Sequence, residues 1–230
     1  MRRLVPTALA IVALAFAREA RAQQHWDLGV HGGVAKRFLT DRPCVSGFAC
    51  QDASFGPVVG VQAHLALIPF LRAGVYGSFE VSPVEGNYAA RNMFAFGAQA
   101  KVMSPWPRDD WRLWLTLGVG YVTAYGPSFS ITLRPQPDPN GQGSYPTPVD
   151  GGGGGFLEVP VGVGVSYKLR KPFVLYAELL SRFGGGFWGT LYGENGGRAA
   201  RNPILGTTTI AAPGSDFFSL GLVVGVGLDM

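Results

Sequence analysis

Charged residues are scarce in this sequence. Asp, Glu, Lys and Arg make up 15% of its 230 residues, against about 25% in an ordinary soluble domain. Breakers of helices are abundant, with 34 Gly and 17 Pro, more than a helix bundle or coiled coil can hold. Aromatic residues at 12% and hydrophobic residues at 47% are too frequent for a disordered chain. The composition predicts a β-rich fold with little charge.

Motifs that bind cofactors are absent from the sequence. It contains no phosphate-binding loop, no His-Glu-x-x-His and no acidic calcium loop. Five consecutive glycines at residues 151–155 are not followed by Lys-Ser or Lys-Thr, so we interpret them as a flexible loop tip. We therefore expect no cofactor, no metal ion and no catalytic residues.

The N-terminal segment has the layout of a secretory signal peptide. A basic start is followed by an apolar run of 13 residues, Leu4 to Phe16, and by a cleavage site of small residues that ends at Ala22. A membrane-spanning helix needs about 20 apolar residues, so the run is too short for one. We expect residues 1–22 to be removed and residues 23–230 to be exported as one domain. Residues 1–22 hold four Arg and one Glu, a net charge of +3, which leaves the mature chain +1 of the total +4 and predicts no nucleic-acid partner.

The chain has two cysteines, Cys44 and Cys50, and both lie after the cleavage site. In an exported chain a disulfide between them is the first expectation. A metal pair would need further ligands, and no His, Asp or Glu lies between the two cysteines to supply them.

Apolar residues alternate with other residues along most of the mature chain, a period typical of strands with two different faces. The alternation predicts eight strands, at residues 26–38, 57–67, 71–83, 93–103, 111–126, 156–169, 173–183 and 217–230. Long and short connections fall on opposite ends of this up-and-down order. Tight turns at one end and long Gly/Pro-rich loops at the other are the layout of an outer-membrane barrel.

The two faces of the predicted strands differ in charge and in glycine content. The apolar face holds one charged residue, Lys36, and the other face holds eleven; glycine divides 2 against 13 in the same sense. A soluble lipocalin-like barrel would place its apolar face inside, and alternation alone does not exclude it. Glycines that face a narrow lumen make room there, whereas outward glycines would only weaken the strands. We therefore predict that the apolar face contacts lipid.

Aromatic residues cluster near the ends of the predicted strands. Aromatic side chains are enriched at the two interfaces between a membrane and water, so this placement favours a membrane barrel. One group lies near the short turns: Trp26, Phe70, Trp106, Trp111, Tyr167 and Phe173. The other lies near the long loops: Phe38, Phe55, Phe79, Phe94, Tyr125, Phe156, Phe183 and Phe218. Spanning helices at residues 53–71 or 113–133 are the competing membrane interpretation, but both stretches alternate and contain Gly or Pro.

With these features the chain resembles the small eight-stranded outer-membrane barrels, the OmpA/OmpX-like β-barrel domain family. The resemblance rests on the signal segment, the strand count, the loop asymmetry and the final alternating strand from Phe218 to Met230. It implies an all-β fold, an eight-stranded antiparallel up-and-down transmembrane β-barrel. It also implies location in the bacterial outer membrane after export, contact with outer-membrane lipid, and insertion by the barrel-assembly machinery. Members of the family typically end in an aromatic residue, whereas this chain ends in Leu228-Asp229-Met230.

The lumen-facing charges are the main candidate site. We expect Arg72, Glu80, Lys101, Arg112, Glu158, Lys168, Glu178 and Arg182 to form a charge network, because unpaired charges in a narrow lumen are costly. A salt-bridged plug and a gated path for small ions or water both remain open. Pairing of the first two strands is expected to place His31 close to His64, as polar lumen residues or as a metal or acid–base pair.

Three functions are compatible with these features. The first is a structural or surface-interaction role, in which long extracellular loops contact an unknown partner. The alternatives are a narrow pore for small solutes and an outer-membrane lipid-modifying enzyme. The outward set contains no His and no acidic residue, so we expect no enzyme activity.

Overall fold

The computed structural model describes residues 25–40, 54–83, 90–105, 110–133, 145–192, 197–202, 206–211 and 215–230. The strands in these ranges are β1 (Trp26–Thr40), β2 (Gly56–Ile68), β3 (Leu71–Ser82), β4 (Arg91–Met103), β5 (Trp111–Gly126), β6 (Phe129–Leu133), β7 (Tyr145–Val149), β8 (Gly152–Arg170), β9 (Phe173–Gly189), β10 (Gly197–Asn202), β11 (Gly206–Ala211) and β12 (Ser215–Asp229). The signal segment and both cysteines, Cys44 and Cys50, lie outside the described residues, so the cleavage and the disulfide stay predictions.

Eight of these strands close into a barrel. Their order around the ring is β1-β12-β9-β8-β5-β4-β3-β2, and every neighbouring pair in it is antiparallel. The seam between β1 and β12 is paired from Asp27 opposite Asp229 to Phe38 opposite Phe218. Beyond it, the backbone groups of Trp26 and Met230 exchange two hydrogen bonds of 2.9 Å. The predicted eight-stranded antiparallel barrel is confirmed, and each predicted strand corresponds to one barrel strand.

The barrel wall is apolar outside and polar inside, as the two faces predicted. Val30, Leu115 and Val163 are 59%, 61% and 48% exposed on the outer surface. Glu80 and Glu158 point the other way and are buried. An exterior of this size and apolarity is unfavourable in water and favourable in hydrocarbon.

Exposed aromatic side chains lie at both ends of the wall. Those at the turn end are Trp26, Phe70, Trp111 and Phe173, and those at the loop end include Phe55, Phe79, Phe94, Tyr125 and Phe183. Lys36, the charged residue of the outer face, places its ammonium 5.3 Å from the ring centre of Phe38 and 5.9 Å from that of Phe55. The assignment of Phe156 to the outer belt is wrong: this side chain is buried in the lumen, on the opposite face from its neighbour Leu157.

Inward glycines make room for large side chains that lie across the lumen. A Cβ atom built on Gly120 would lie 2.0 Å from the Tyr76 hydroxyl oxygen, and one built on Gly164 would lie 2.3 Å from the Trp114 ring. Tyr176 similarly covers Gly225, where a Cβ would meet its ring at 2.5 Å. The biased distribution of glycine therefore reflects aromatic packing inside the barrel.

The remaining four strands form a second sheet, in the order β11-β10-β7-β6, built from the two longest connections. Its core contains Phe129, Ile131, Val149, Ala200 and Ile210. Regular structure was not predicted there because Gly and Pro dominate the connections. The flexible loop tip predicted at residues 151–155 is also wrong, since Gly152 to Gly155 pair with β5 as part of β8.

Strands occupy both stretches that were considered as spanning helices. Residues 56–68 form β2, and residues 111–126 and 129–133 form β5 and β6. Within the described ranges, no helix has the length and apolarity needed to cross a membrane.

Gly120→Ala tests the packing of aromatics over glycine. We expect a loss of about 1–3 kcal/mol in the free energy of unfolding, because the added methyl group displaces the Tyr76 ring from a filled lumen. Gly77→Ala is the matched control, since a Cβ there meets no atom closer than 3.9 Å. Urea unfolding in lipid vesicles measures both; equal stability of the two variants would contradict the packing account.

Candidate functional site: the lumen and the sheet above it

Two aspartates hold two arginines at the turn end of the lumen. Arg72 lies 3.2 Å from Asp27 and 3.3 Å from Asp229, and Arg112 lies 3.0 Å from Asp229. The aspartates face each other across the seam of β1 and β12. These ion pairs therefore join both sides of the seam to β3 and β5.

Two predicted site residues, Lys101 and Lys168, have a different environment. The Lys101 ammonium is buried and lies 4.8 Å from the ring centre of Trp114 and 5.8 Å from that of Tyr176. Lys168 is half-buried and lines the turn end of the lumen. Neither lysine pairs with a carboxylate within 4.0 Å in the part of the chain that the structure describes.

Polar side chains fill the lumen at mid-depth. Glu178 accepts a hydrogen bond from the Thr116 hydroxyl. The Gln99 amide donates to the Gln62 carbonyl oxygen at 3.1 Å. All four side chains are buried, so this layer divides the turn end of the lumen from the loop end.

The expected proximity of the two lumen histidines is wrong. The register of β1 and β2 places His64 opposite Asp27 and His31 opposite Gly60. A long connection joins these strands and does not fix their register as a tight turn would. His31 instead lies 3.2 Å from the Tyr176 hydroxyl. Among the described residues no group of three or more His, Cys, Asp or Glu is placed to hold a metal ion.

A second group of ion pairs lies near the loop end. Arg37 donates two hydrogen bonds to Glu80, at 2.9 and 3.0 Å, and both side chains are buried. Glu158 accepts a hydrogen bond of 2.8 Å from the Tyr76 hydroxyl and lies 3.8 Å from Arg182. The predicted lumen charges are thus brought together in separate groups rather than in one continuous network.

An apolar cluster closes the loop end of the lumen. Leu191 and Tyr192, in the turn after β9, are almost fully buried and pack with Phe156 from the barrel wall. The rings of Phe156 and Tyr192 meet edge to face at 5.4 Å, and the Arg91 guanidinium lies 4.7 Å from the Tyr192 ring centre. We call Phe156, Leu191 and Tyr192 the apolar plug.

Arg198 joins the second sheet to the barrel. It belongs to β10, and its side chain lies against Gly126 and Gly152, which face each other on β5 and β8. Its guanidinium donates a 3.0 Å hydrogen bond to the Pro127 carbonyl and lies 5.5 Å from the Phe129 ring centre. The sheet is therefore docked on the loop end of the barrel by a buried cation.

The outer face of the second sheet is exposed and mostly uncharged. Its members are Ser130, Thr132, Pro146, Pro148, Arg201, Thr207 and Thr209. Arg201 donates a 3.1 Å hydrogen bond to Asp150. Among the described residues, β11 pairs with β10 alone and β6 with β7 alone, so each leaves one strand edge unpaired.

Sequence reasoning missed Arg91, Arg198 and the apolar plug. Arg91 follows the inward alternation of Met93 and Ala95, so extending the fourth predicted strand by two residues would have found it. No periodic signal marks Leu191 and Tyr192, because they lie in a turn between glycines.

Solved structures of other proteins match this architecture over nearly their whole length, and two of them illustrate it. Neisserial surface protein A (NspA) has a TM-score of 0.55 at 14% sequence identity, covering 89% of this chain and 97% of its own. A major outer membrane protein from Thermus thermophilus has a TM-score of 0.52 at 14% identity, covering 89% of this chain and 99% of its own. No protein family model and no curated protein matches the sequence. The chain thus has the fold of the small outer-membrane β-barrels, as the resemblance predicted.

The Arg37–Glu80 pair gives a direct test of the loop-end ion pairs. Arg37→Met should cost about 3–5 kcal/mol of unfolding free energy, because it leaves Glu80 buried without its partner. The double variant Arg37→Met/Glu80→Met removes both charges and should recover most of that loss. Urea unfolding of both single variants and the double variant gives a double-mutant cycle. If the losses of unfolding free energy in the single variants add up to that of the double variant, the pair is not coupled.

Proposed function

We propose that this protein is a bacterial outer-membrane anchor that presents the second sheet to partners outside the cell. The exposed apolar wall and the aromatic residues at its two ends support contact with outer-membrane lipid. Signal-directed export and insertion by the barrel-assembly machinery belong to the same proposal. Because long loops of such barrels face outward, the second sheet lies on the extracellular side.

The observation that carries this proposal is the folded sheet on the loop end. Two connections together build a core of their own and are docked by Arg198, whereas a simple anchor needs only short loops. Its exposed face offers hydroxyl groups and proline rings, and an unpaired edge such as β11 offers backbone hydrogen bonds to an extended partner segment. The partner class that fits best is a protein surface or an extended peptide.

The pore and enzyme alternatives receive less support. A pore needs a continuous water path, yet the described lumen is obstructed at mid-depth by Glu178, Gln62 and Gln99 and again by the apolar plug. A lipid-modifying enzyme needs catalytic groups at the bilayer rim, whereas the described outer wall exposes many large hydrophobic side chains, such as Val30, Leu115 and Val163.

Thr209→Cys tests the display of the second sheet. In a background with Ser at both natural cysteines, a membrane-impermeant maleimide should label this exposed position on intact cells. Lys171→Cys, in the exposed turn between β8 and β9, should be labelled only after the outer membrane is opened.

The unsubstituted Ser background is the control and should remain unlabelled. Labelling at Lys171→Cys but not at Thr209→Cys on intact cells would contradict the orientation. Wild-type protein in a planar bilayer should show no unitary conductance steps. Steady channel openings would contradict the anchor proposal and support the pore alternative.

A further inference from the structure

The lumen opens at its turn end into a two-part cavity. An outer mouth of about 940 Å³ is lined by residues of the turns and strand ends, among them Phe70, Phe173, Arg112 and Lys168. Arg112 and Lys168 also line a smaller inner chamber of about 30 Å³, which lies deeper in the barrel. We call these two spaces the mouth and the inner chamber.

The inner chamber is closed on its far side by the mid-depth layer. Gln62 and Tyr176 form part of its lining, and Tyr176 lies across Gly29 and Gly225. The buried Glu178 lies beyond it and receives the hydrogen bond from Thr116. Within the described residues, the chamber is therefore a blind pocket that a ligand enters from the mouth.

The acidic residues that line the inner chamber are paired or lie at its rim. Asp27 and Asp229 are half-buried and already bind Arg72 and Arg112. A third acid, Asp110, lies at the exposed rim.

Two cations on the same lining, Lys101 and Lys168, have no acceptor among the described residues. The indole Nε1 of Trp114 also has no hydrogen-bond partner, but this atom is fully buried beside Gly164. The ammonium of Lys101, 3% exposed, contacts aromatic rings but pairs with no carboxylate within 4.0 Å. Lys168 is likewise unpaired and lies where the mouth meets the chamber. A buried ammonium without an acceptor is costly, so the lining around Lys101 is suited to receive one.

We propose that the inner chamber binds a small oxyanion, a phosphate or carboxylate group, that enters from the turn end. Lys168 and Arg112 attract the anion at the junction, and Lys101 binds it inside. Cationic N–H donors form charge-assisted hydrogen bonds with such oxygens, which are stronger than bonds between neutral groups. Because the Lys101 ammonium lies 4.8 Å from the Trp114 ring centre, the indole signal reports on this site.

The two volumes limit the kind of ligand. The inner chamber has room for little more than one or two water molecules, so only one or two oxygen atoms of a phosphate or carboxylate group enter it. The body of a larger ligand stays in the mouth, beside Phe70 and Phe173. A free anion and the phosphate of a membrane lipid share this chemistry.

The test follows the Trp114 indole proton by NMR, with protein folded in zwitterionic micelles and the peak assigned with Trp114→Phe. Inorganic phosphate and acetate are titrated at constant ionic strength against chloride. We expect a saturable shift of the Trp114 peak while the other indole peaks stay in place. Lys168→Gln should weaken the apparent affinity at least tenfold, and Lys168→Arg should retain it.

Arg170→Gln is the matched control, because Arg170 is an exposed cation two residues away that does not line the chamber. The affinity of the Arg170→Gln variant for phosphate and acetate should equal that of the wild type. The spectrum is also recorded without added anion in nanodiscs that contain phosphatidylglycerol and in nanodiscs of phosphatidylcholine alone. A shift of the Trp114 peak only with phosphatidylglycerol would identify a lipid as the source of the anionic group. The proposal is overturned if neither phosphate, acetate nor anionic lipid moves the peak, if chloride moves it equally, or if Lys168→Gln and Arg170→Gln weaken binding alike.

Discussion

The closed ring of backbone hydrogen bonds is the constraint on which the rest of the structure depends. A strand in hydrocarbon cannot leave N–H or C=O groups unpaired, because each would cost several kcal/mol. Eight strands meet this demand only when β1 pairs with β12, from Asp27 to Phe38 along the seam. Closure then allows the outer surface to be apolar, and most of the charged side chains described on the barrel strands face a narrow lumen.

The contents of the lumen follow from that confinement. Glycines on one strand leave space for Tyr76, Trp114 and Tyr176 from others. Several lumen charges pair locally, as Arg37 does with Glu80 and Arg72 with Asp27. The loop end differs from the turn end, since the apolar plug fills the former and an open mouth leads into the latter. This asymmetry separates two roles in our account, partner contact above the barrel and anion binding within its base.

The sequence was informative wherever a period of two persisted. Strand positions, the outward face and most of the aromatic belts were predictable, because lipid on one side and charge on the other impose a strict alternation. The second sheet was not predictable, since short strands such as Tyr145–Val149 contain proline and show no clear alternation. The prediction that His31 lies close to His64 was wrong for a related reason. The register of two strands joined by a long connection depends on packing of the whole barrel. The absence of ion-pair partners at Lys101 and Lys168 could not be predicted from the sequence, because partners in a barrel come from distant strands.

The outward, lipid-contacting face is the central claim, and Val163→Arg tests it most directly. Val163 lies on the outer face of β8, between the inward Gly162 and Gly164. Thr209→Arg places the same side chain on the exposed face of the second sheet and is the matched control. In lipid vesicles, Val163→Arg should lower the unfolding free energy by about 2–4 kcal/mol, the cost of a cation at the bilayer midplane, and Thr209→Arg should leave it nearly unchanged. Equal stability of the two variants would mean that Val163 faces water, and would contradict the membrane barrel.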